Sequence, residues 1–256
     1  MHSKSRIQNS LFRTHSRVPR AARAIATMFT LTLILSQFAL AQTFTVIHNF
    51  NIGWEGVYPY AGLTMDSAGN LYGTTSYSGR YDSGSYGDVY KLAFSGTRWN
   101  HTSLYTFRGG DDGGWPTARI VFGPDGNLYG TTTMGAGGVF KLTPPTHIPA
   151  NALGEWTKSV LHWFAGGSDG SEPGLGDLIF DQAGNIYGTT TAGGAYGYGT
   201  VFKLTPSGGS WTETVLYSFT GGSDGSAPES GLIFDNVGNL YGTTFVGGTF
   251  GYGTVF

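Results

Sequence analysis

The string Gly238-Asn239-Leu240-Tyr241-Gly242-Thr243-Thr244 constrains this chain more than any other feature, because it occurs four times. It reads identically at 69–75 and 126–132, and with Ile for Leu at 184–190, at spacings of 57, 58 and 54 residues. Recurrence at that distance means that one supersecondary unit is being copied, each copy relying on its neighbours to bury its apolar faces.

The same short apolar runs flank every copy. The first precedes the string, as in Gly231-Leu232-Ile233-Phe234-Asp235, with counterparts at 63–66, 120–123 and 178–181. The second is the string's own Asn-Leu-Tyr-Gly-Thr-Thr. Between them lies Asp-x-x-Gly-Asn, whose Gly and Asn tolerate positive φ, so the two runs read as a hairpin. The third run is Gly199-Thr200-Val201-Phe202-Lys203-Leu204, matched at 87–92, 138–142 and 253–256. The fourth extends from a tryptophan to a phenylalanine: Trp99 to Phe107, Trp156 to Phe164, Trp211 to Phe219. Val215, Tyr217 and Phe219 alternate there with Thr214, Leu216 and Ser218, the period of a strand, and no window carries helical periodicity.

Four short antiparallel strands in a unit of about 55 residues predict an all-β fold, a β-propeller-like array of four-stranded blades. The repeat cores fall near 62–107, 119–164, 177–219 and 231–256. A β-solenoid is the alternative, but its repeats are shorter and the internal hairpin favours meandering strands. The repeated string reads as structural, with its Leu and Tyr on opposite faces of strand two and its second Gly letting neighbouring blades approach. Lys91, Lys141 and Lys203 read as solvated edge charges. Thr45 to Phe50 aligns with the tail of the fourth run, while the third run at 253–256 stops before its Lys-Leu. The chain is therefore expected to be cut from a longer array; the alternative is a four-bladed ring closed by a strand from one terminus.

Residues 1–41 differ in composition from the rest, with six basic residues, no acidic ones, and an apolar run ending in Ala39-Leu40-Ala41. They read as a secretory signal peptide cleaved before Gln42, which places the protein outside the cell or on its surface with no transmembrane segment in the mature chain. An uncleaved N-terminal anchor is the alternative, although the run is short for a membrane span. The mature part then holds eight Lys and Arg against sixteen Asp and Glu. Its basic residues are scattered singly, so no nucleic-acid partner is expected. There is no cysteine, which excludes disulfides and thiolate metal sites.

The pattern Gly-Leu-Ile-Phe-Asp-x-x-Gly-Asn-Leu-Tyr-Gly-Thr-Thr, a Gly-rich loop, then Gly-Thr-Val-Phe-Lys-Leu-Thr-Pro resembles the GloVer tandem repeat of bacterial exported, choice-of-anchor proteins. The resemblance covers 42–256. It implies export and surface attachment through a sorting signal, which would lie beyond Phe256, and it brings no catalytic residues with it.

In a propeller, the loops between strands two and three share one face with those between strand four and the next blade. Tyr81, Tyr86, Tyr196, Tyr198 and Tyr252 fall there as aromatic faces for sugars, beside Asp112, Asp169 and Asp224 as hydroxyl acceptors. Packed loop aromatics and turn-forming aspartates account for the same residues. Gly-Gly-Ser-Asp-Gly at 166–170 and 221–225 matches a nucleophile motif only formally, because no helix follows. No cofactor is expected. Calcium is the one candidate ion, and it needs six to eight oxygens where each loop offers one or two carboxylates.

The acids outside the repeat consensus are Glu55, Glu155, Glu172, Asp177, Glu213 and Glu229; Glu172 and Glu229 are the pair to test for polysaccharide cleavage. His48 and His162 replace Tyr105 and Tyr217 and read as packing, and His101 and His147 fall toward the opposite face. With no unique acid, base or nucleophile evident, the expected role is a binding or adhesion scaffold for extracellular polysaccharide or a surface protein. A polysaccharide hydrolase or lyase and a structural surface-layer component are the alternatives.

Overall fold

The computed structural model describes residues 43–51, 55–78, 86–146 and 156–256. The expected signal peptide at 1–41, Tyr81, His147 and Glu155 lie outside them. Met1–Val46 and Ile47–Phe256 are separate units, and every strand belongs to the second.

The chain is all-β, a propeller-like array of sheets that each meander in sequence order. The first sheet holds β1 (Thr64–Met65), β2 (Leu71–Thr75), β3 (Asp88–Phe94) and β4 (Trp99–Thr106). The second holds β5 (Val121–Phe122), β6 (Leu128–Thr132), β7 (Gly138–Thr143) and β8 (Thr157–Trp163). The third holds β9 (Ile179–Phe180), β10 (Ile186–Thr190), β11 (Thr200–Ser207) and β12 (Ser210–Ser218). The fourth pairs β13 (Ile233–Phe234) with β14 (Leu240–Tyr241) and adds an isolated bridge, Thr243 to Val255. A 3-10 turn spans Gly110–Asp112.

Identical sequence gives identical register. Leu71, Leu128 and Ile186 of the second strands face Leu92, Leu142 and Leu204 of the third, and a bulge recurs at Val89/Tyr90, Val139/Phe140 and Val201/Phe202. The core lies between sheets. Tyr72, Val89, Leu104 and Phe107 of the first sheet close on Ile120, Leu128, Phe140 and Leu142 of the second. Tyr129, Val139 and Phe164 close in the same way on Leu178, Ile186, Phe202 and Leu204. Edge-to-face aromatic pairs mark each junction: Phe107 with Phe140, Phe164 with Phe202, Phe219 with Phe256, at 5.0–5.2 Å between centroids.

The Asp-x-x-Gly-Asn turns are held by their aspartates. Asp181 accepts the backbone N–H of Ala183 and Asn185, the Asn185 amide, and the Tyr187 hydroxyl. In the second unit Gly123 occupies the aspartate position, and Asp125 does the work from two residues further on, accepting from Asn127 and from the Tyr129 hydroxyl at 2.8 Å. These bonds outweigh the upward push of burial and keep both carboxyls below their ordinary value.

Three expectations need correction. The second Gly of the string makes room within its own sheet: a Cβ on Gly188 would lie 2.6 Å from Phe202 of the facing strand, and one on Gly130 would lie 2.8 Å from Phe140. The third-strand lysines stand on inner strands, and Lys91 and Lys203 extend over the rings of their cross-strand neighbours Tyr72 and Tyr187. Residues 45–50 form no strand, although Phe50 packs edge-to-face on Tyr90 just as Phe107 does on Phe140.

Candidate ligand-binding face

The loops leaving strand four and those leaving strand two meet, as the sequence predicts. Gly194 N–H donates to Gly167 and Gly248 N–H to Gly222, both at 2.8 Å, and Ser171 bridges Ala192 while Ser226 bridges Val246.

Each strand-four loop is closed by a carboxylate. Asp112 accepts the Arg108 N–H and the Tyr105 hydroxyl, and Asp224 accepts the Thr220 N–H and the Tyr217 hydroxyl. Asp169 accepts the Ala165 N–H and lies 3.6 Å from His162 Nε2. Glu55 takes this position in the first copy, accepting from Asn51 and standing 3.3 Å from His48. The sequence reading therefore misplaced Glu55 among the non-consensus acids. The spacing of four from residue 51 to residue 55, shared with 108–112, 165–169 and 220–224, was the available signal.

A variable residue of the next sheet's fourth strand faces Glu55, Asp112 and Asp169. His101, Lys158 and Glu213 hold one register position, opposite Leu92, Leu142 and Leu204. Lys158 Nζ lies 2.7 Å from Asp112 and within 6 Å of the Tyr105, Phe107 and Trp163 rings. His101 stacks on His48, so it belongs to this junction within β4 rather than to the opposite end. Burial lowers the pKa of His101 and of His162, against the pull of Glu55 and Asp169. Glu213 is raised by burial and by the Asp169 charge. At the last junction Tyr217, Phe219, Asp224, Val255 and Phe256 line a cavity of about 380 Å³. It is the counterpart of the space that Lys158 fills between the first two sheets.

Beyond each carboxylate the residue before proline adopts a left-handed conformation: Tyr58, Trp115, Glu172 and Ala227, at φ 60, 55, 59 and 50°. Branched or bulky residues adopt it only where the surroundings fix them. Here the N–H of Trp115, Glu172 and Ala227 is held by the loop carbonyls of Tyr86, Ala136 and Tyr198. The carbonyls of Tyr58, Trp115, Glu172 and Ala227 accept from Ser76, Thr133, Thr191 and Phe245. The backbone is common to all four copies while the side chain varies.

The predicted site residues divide accordingly. Asp112, Asp169 and Asp224 are joined to their own loops. Tyr86 rests over Gly109 and Tyr198 over Gly221, while Tyr196 and Tyr252 are exposed. Glu172 precedes its proline and bonds Thr191, whereas Glu229 follows Pro228, so the two occupy different places in the repeat. Asp177 is paired with Arg119 at 2.9 Å across two sheets. Among the described residues no group of three His, Cys, Asp or Glu side chains is placed to hold a metal ion.

Sequence comparison matches residues 25–256 to the Gloeobacter/Verrucomicrobia repeat. The chain belongs to this family. No curated protein matches it. Among solved structures this Gloeobacter/Verrucomicrobia repeat protein is similar to a gluconolactonase from Xanthomonas campestris, at 15% identity and TM-score 0.41, covering 70% of this chain and 52% of that one. It is also similar to a protein assigned as a 6-phosphogluconolactonase from Bacteroides uniformis, at 17% identity and TM-score 0.45, covering 73% and 50%. The repeat protein thus spans about half the length of either. Among its described residues no helix is long and apolar enough to cross a membrane.

Proposed function

We propose that this repeat protein is exported and works as a binding scaffold, with the loop face described above as its glycan-binding surface. The observation that carries this reading is the concentration of exposed aromatic side chains on hydrogen-bonded Gly-rich loops, including Tyr196, Tyr198, Phe250 and Tyr252. Aromatic faces held on a rigid scaffold lose little entropy on binding, and the apolar C–H faces of sugars stack on them. The basic, acid-free leader at 1–41 and the family's implied export favour an extracellular ligand.

Protein spanning 42–256, passed over immobilised polysaccharides, is expected to be retained by at least one of them without releasing reducing ends. Passage through every column unretained would remove the glycan reading. Release of reducing ends that disappears in Glu172→Ala or Glu229→Ala would replace the scaffold with a hydrolase or lyase.

A further inference from the structure

One arc of the loop face differs from the rest. Tyr58 and Tyr60 lie nearly parallel at 5.8 Å between centroids, with an interplanar angle of 8°. Tyr58 meets Tyr77 edge-on at 5.8 Å, Tyr77 approaches Trp115 at 6.4 Å, and Trp115 approaches Tyr86 at 6.5 Å. Five rings from three loops thus form one continuous series. Three of them are open to solvent, Tyr58 at 50%, Tyr60 at 70% and Tyr77 at 41% exposure. The positions equivalent to Tyr58 and Trp115 carry Glu172 and Ala227, and those equivalent to Tyr77 carry Met134, Ala192 and Val246, so the series is confined to this arc. Among the described residues no ring contact joins Tyr196, Tyr198, Phe250 and Tyr252, which stand singly.

The geometry points to this series as the seat of a polysaccharide chain, with one sugar ring lying on the parallel Tyr58 and Tyr60 pair and the next against Tyr77, which stands nearly perpendicular to them. Its backbone is fixed before any ligand arrives: Tyr58 is held left-handed ahead of Pro59, Val57 is bridged to Tyr77, and Ser76 N–H is bonded to the Tyr58 carbonyl. A face fixed in advance loses little freedom on binding. The five side chains carry no charge, and the mature chain has twice as many acidic as basic residues. Both features select a neutral, flat-faced hexose polymer over an acidic one, which the protein's own field repels. Among the described residues no hydrogen bond engages the hydroxyls of Tyr58, Tyr60 and Tyr77, which leaves them to bond the equatorial hydroxyls of such a chain while its axial C–H face meets the rings.

The inference rests on the glycan-binding reading and locates it. Affinity electrophoresis of residues 42–256 through gels containing hydroxyethyl cellulose, a neutral glucan, or alginate, a polyanion, tests it. Retardation is expected in the first and not in the second. Tyr58→Ala and Tyr60→Ala are each expected to weaken binding about tenfold, with thermal unfolding unchanged for the outlying Tyr60. Tyr196→Ala and Tyr252→Ala are expected to weaken binding less than either, and Val237→Ala, on the exposed turn between Asp235 and Asn239, to bind as the parent. Retardation lost in Tyr252→Ala but kept in Tyr58→Ala and Tyr60→Ala would overturn this location while leaving a glycan-binding protein. Stronger retardation in alginate would overturn the neutral class. Retardation in neither gel, together with no retention on any immobilised polysaccharide, would overturn both readings.

Discussion

The ammonium of Lys158 on β8 lies 2.7 Å from the carboxylate of Asp112 in the loop that leaves β4, with only 6% of the lysine side chain exposed. It crosses the inter-sheet junction and is surrounded by the rings of Tyr105, Phe107 and Trp163. A buried pair is costly to break by halves, because the remaining charge loses its partner. Lys158→Ala is expected to lower stability by about 3 kcal/mol, and Lys158→Ala combined with Asp112→Ala by less than the sum of the single changes. Urea unfolding of the four proteins measures the coupling, and strict additivity would contradict it.

Glu213 stands at the Lys158 position of the next junction, beside Asp169, where burial and the neighbouring charge raise its pKa. Glu213→Lys replaces a like-charge approach with the pairing already made by Lys158. The unfolding midpoint at pH 7 is expected to rise by about 2–4 °C. A fall would show that His162 in place of Tyr105 makes this junction unable to hold a cation.

Asp88 stands where the later copies have Thr200 and Thr254, and it is 2% exposed. Thr190 and Thr200 bond hydroxyl to hydroxyl at 2.8 Å, whereas Asp88 Oδ1 and Thr75 Oγ1 are buried with no hydrogen-bond partner among the described residues. Burial pushes the Asp88 carboxyl up to about 6 from 3.8, against a hydrogen bond from Thr106. The folded state therefore holds this proton more tightly than the unfolded one. The associated stability is fully present below pH 3.8 and is lost as pH rises through about 6. Asp88→Asn is expected to stabilise the protein by about 3 kcal/mol at pH 7.5 and to be neutral at pH 3.5. Parallel pH–stability curves for the two proteins would refute this.

Gly188 admits the Phe202 ring, and an added Cβ would lie 2.6 Å from it. Gly188→Ala is expected to cost about 1–3 kcal/mol, with part regained in Gly188→Ala combined with Phe202→Leu. Equal loss in the single and double variants would mean that the backbone, and not the ring, demands the glycine.

What the sequence disclosed and what it concealed have physical reasons. The four-strand unit was legible because the period is long, the turn chemistry repeats, and Val215, Tyr217 and Phe219 alternate with Thr214, Leu216 and Ser218. Strand-one lengths were not: only two residues pair in each, although three apolar ones stand in a row at 120–122, 178–180 and 232–234. Contacts between sheets leave no local signature, so the approach of Lys158 to Asp112 and of His101 to His48 emerged only in three dimensions. Asp88 was visible as Gly-Asp-Val beside the Gly-Thr-Val of the third and fourth copies, yet nothing in the string revealed its burial. Tyr58 and Trp115 were hidden by position, since a residue before proline is ordinarily extended. The left-handed backbone that turns them toward Tyr77 is imposed by hydrogen bonds from neighbouring loops.

Hydrogen–deuterium exchange of residues 42–256 with and without a bound neutral polysaccharide tests the central claim most directly. Protection is expected at 57–61, 76–78 and 113–117, where the Tyr58 to Trp115 series is anchored, with the turns at 66–70, 123–127 and 181–185 unchanged. Protection confined to those Asp-x-x-Gly-Asn turns, or spread evenly over all four copies, would contradict it.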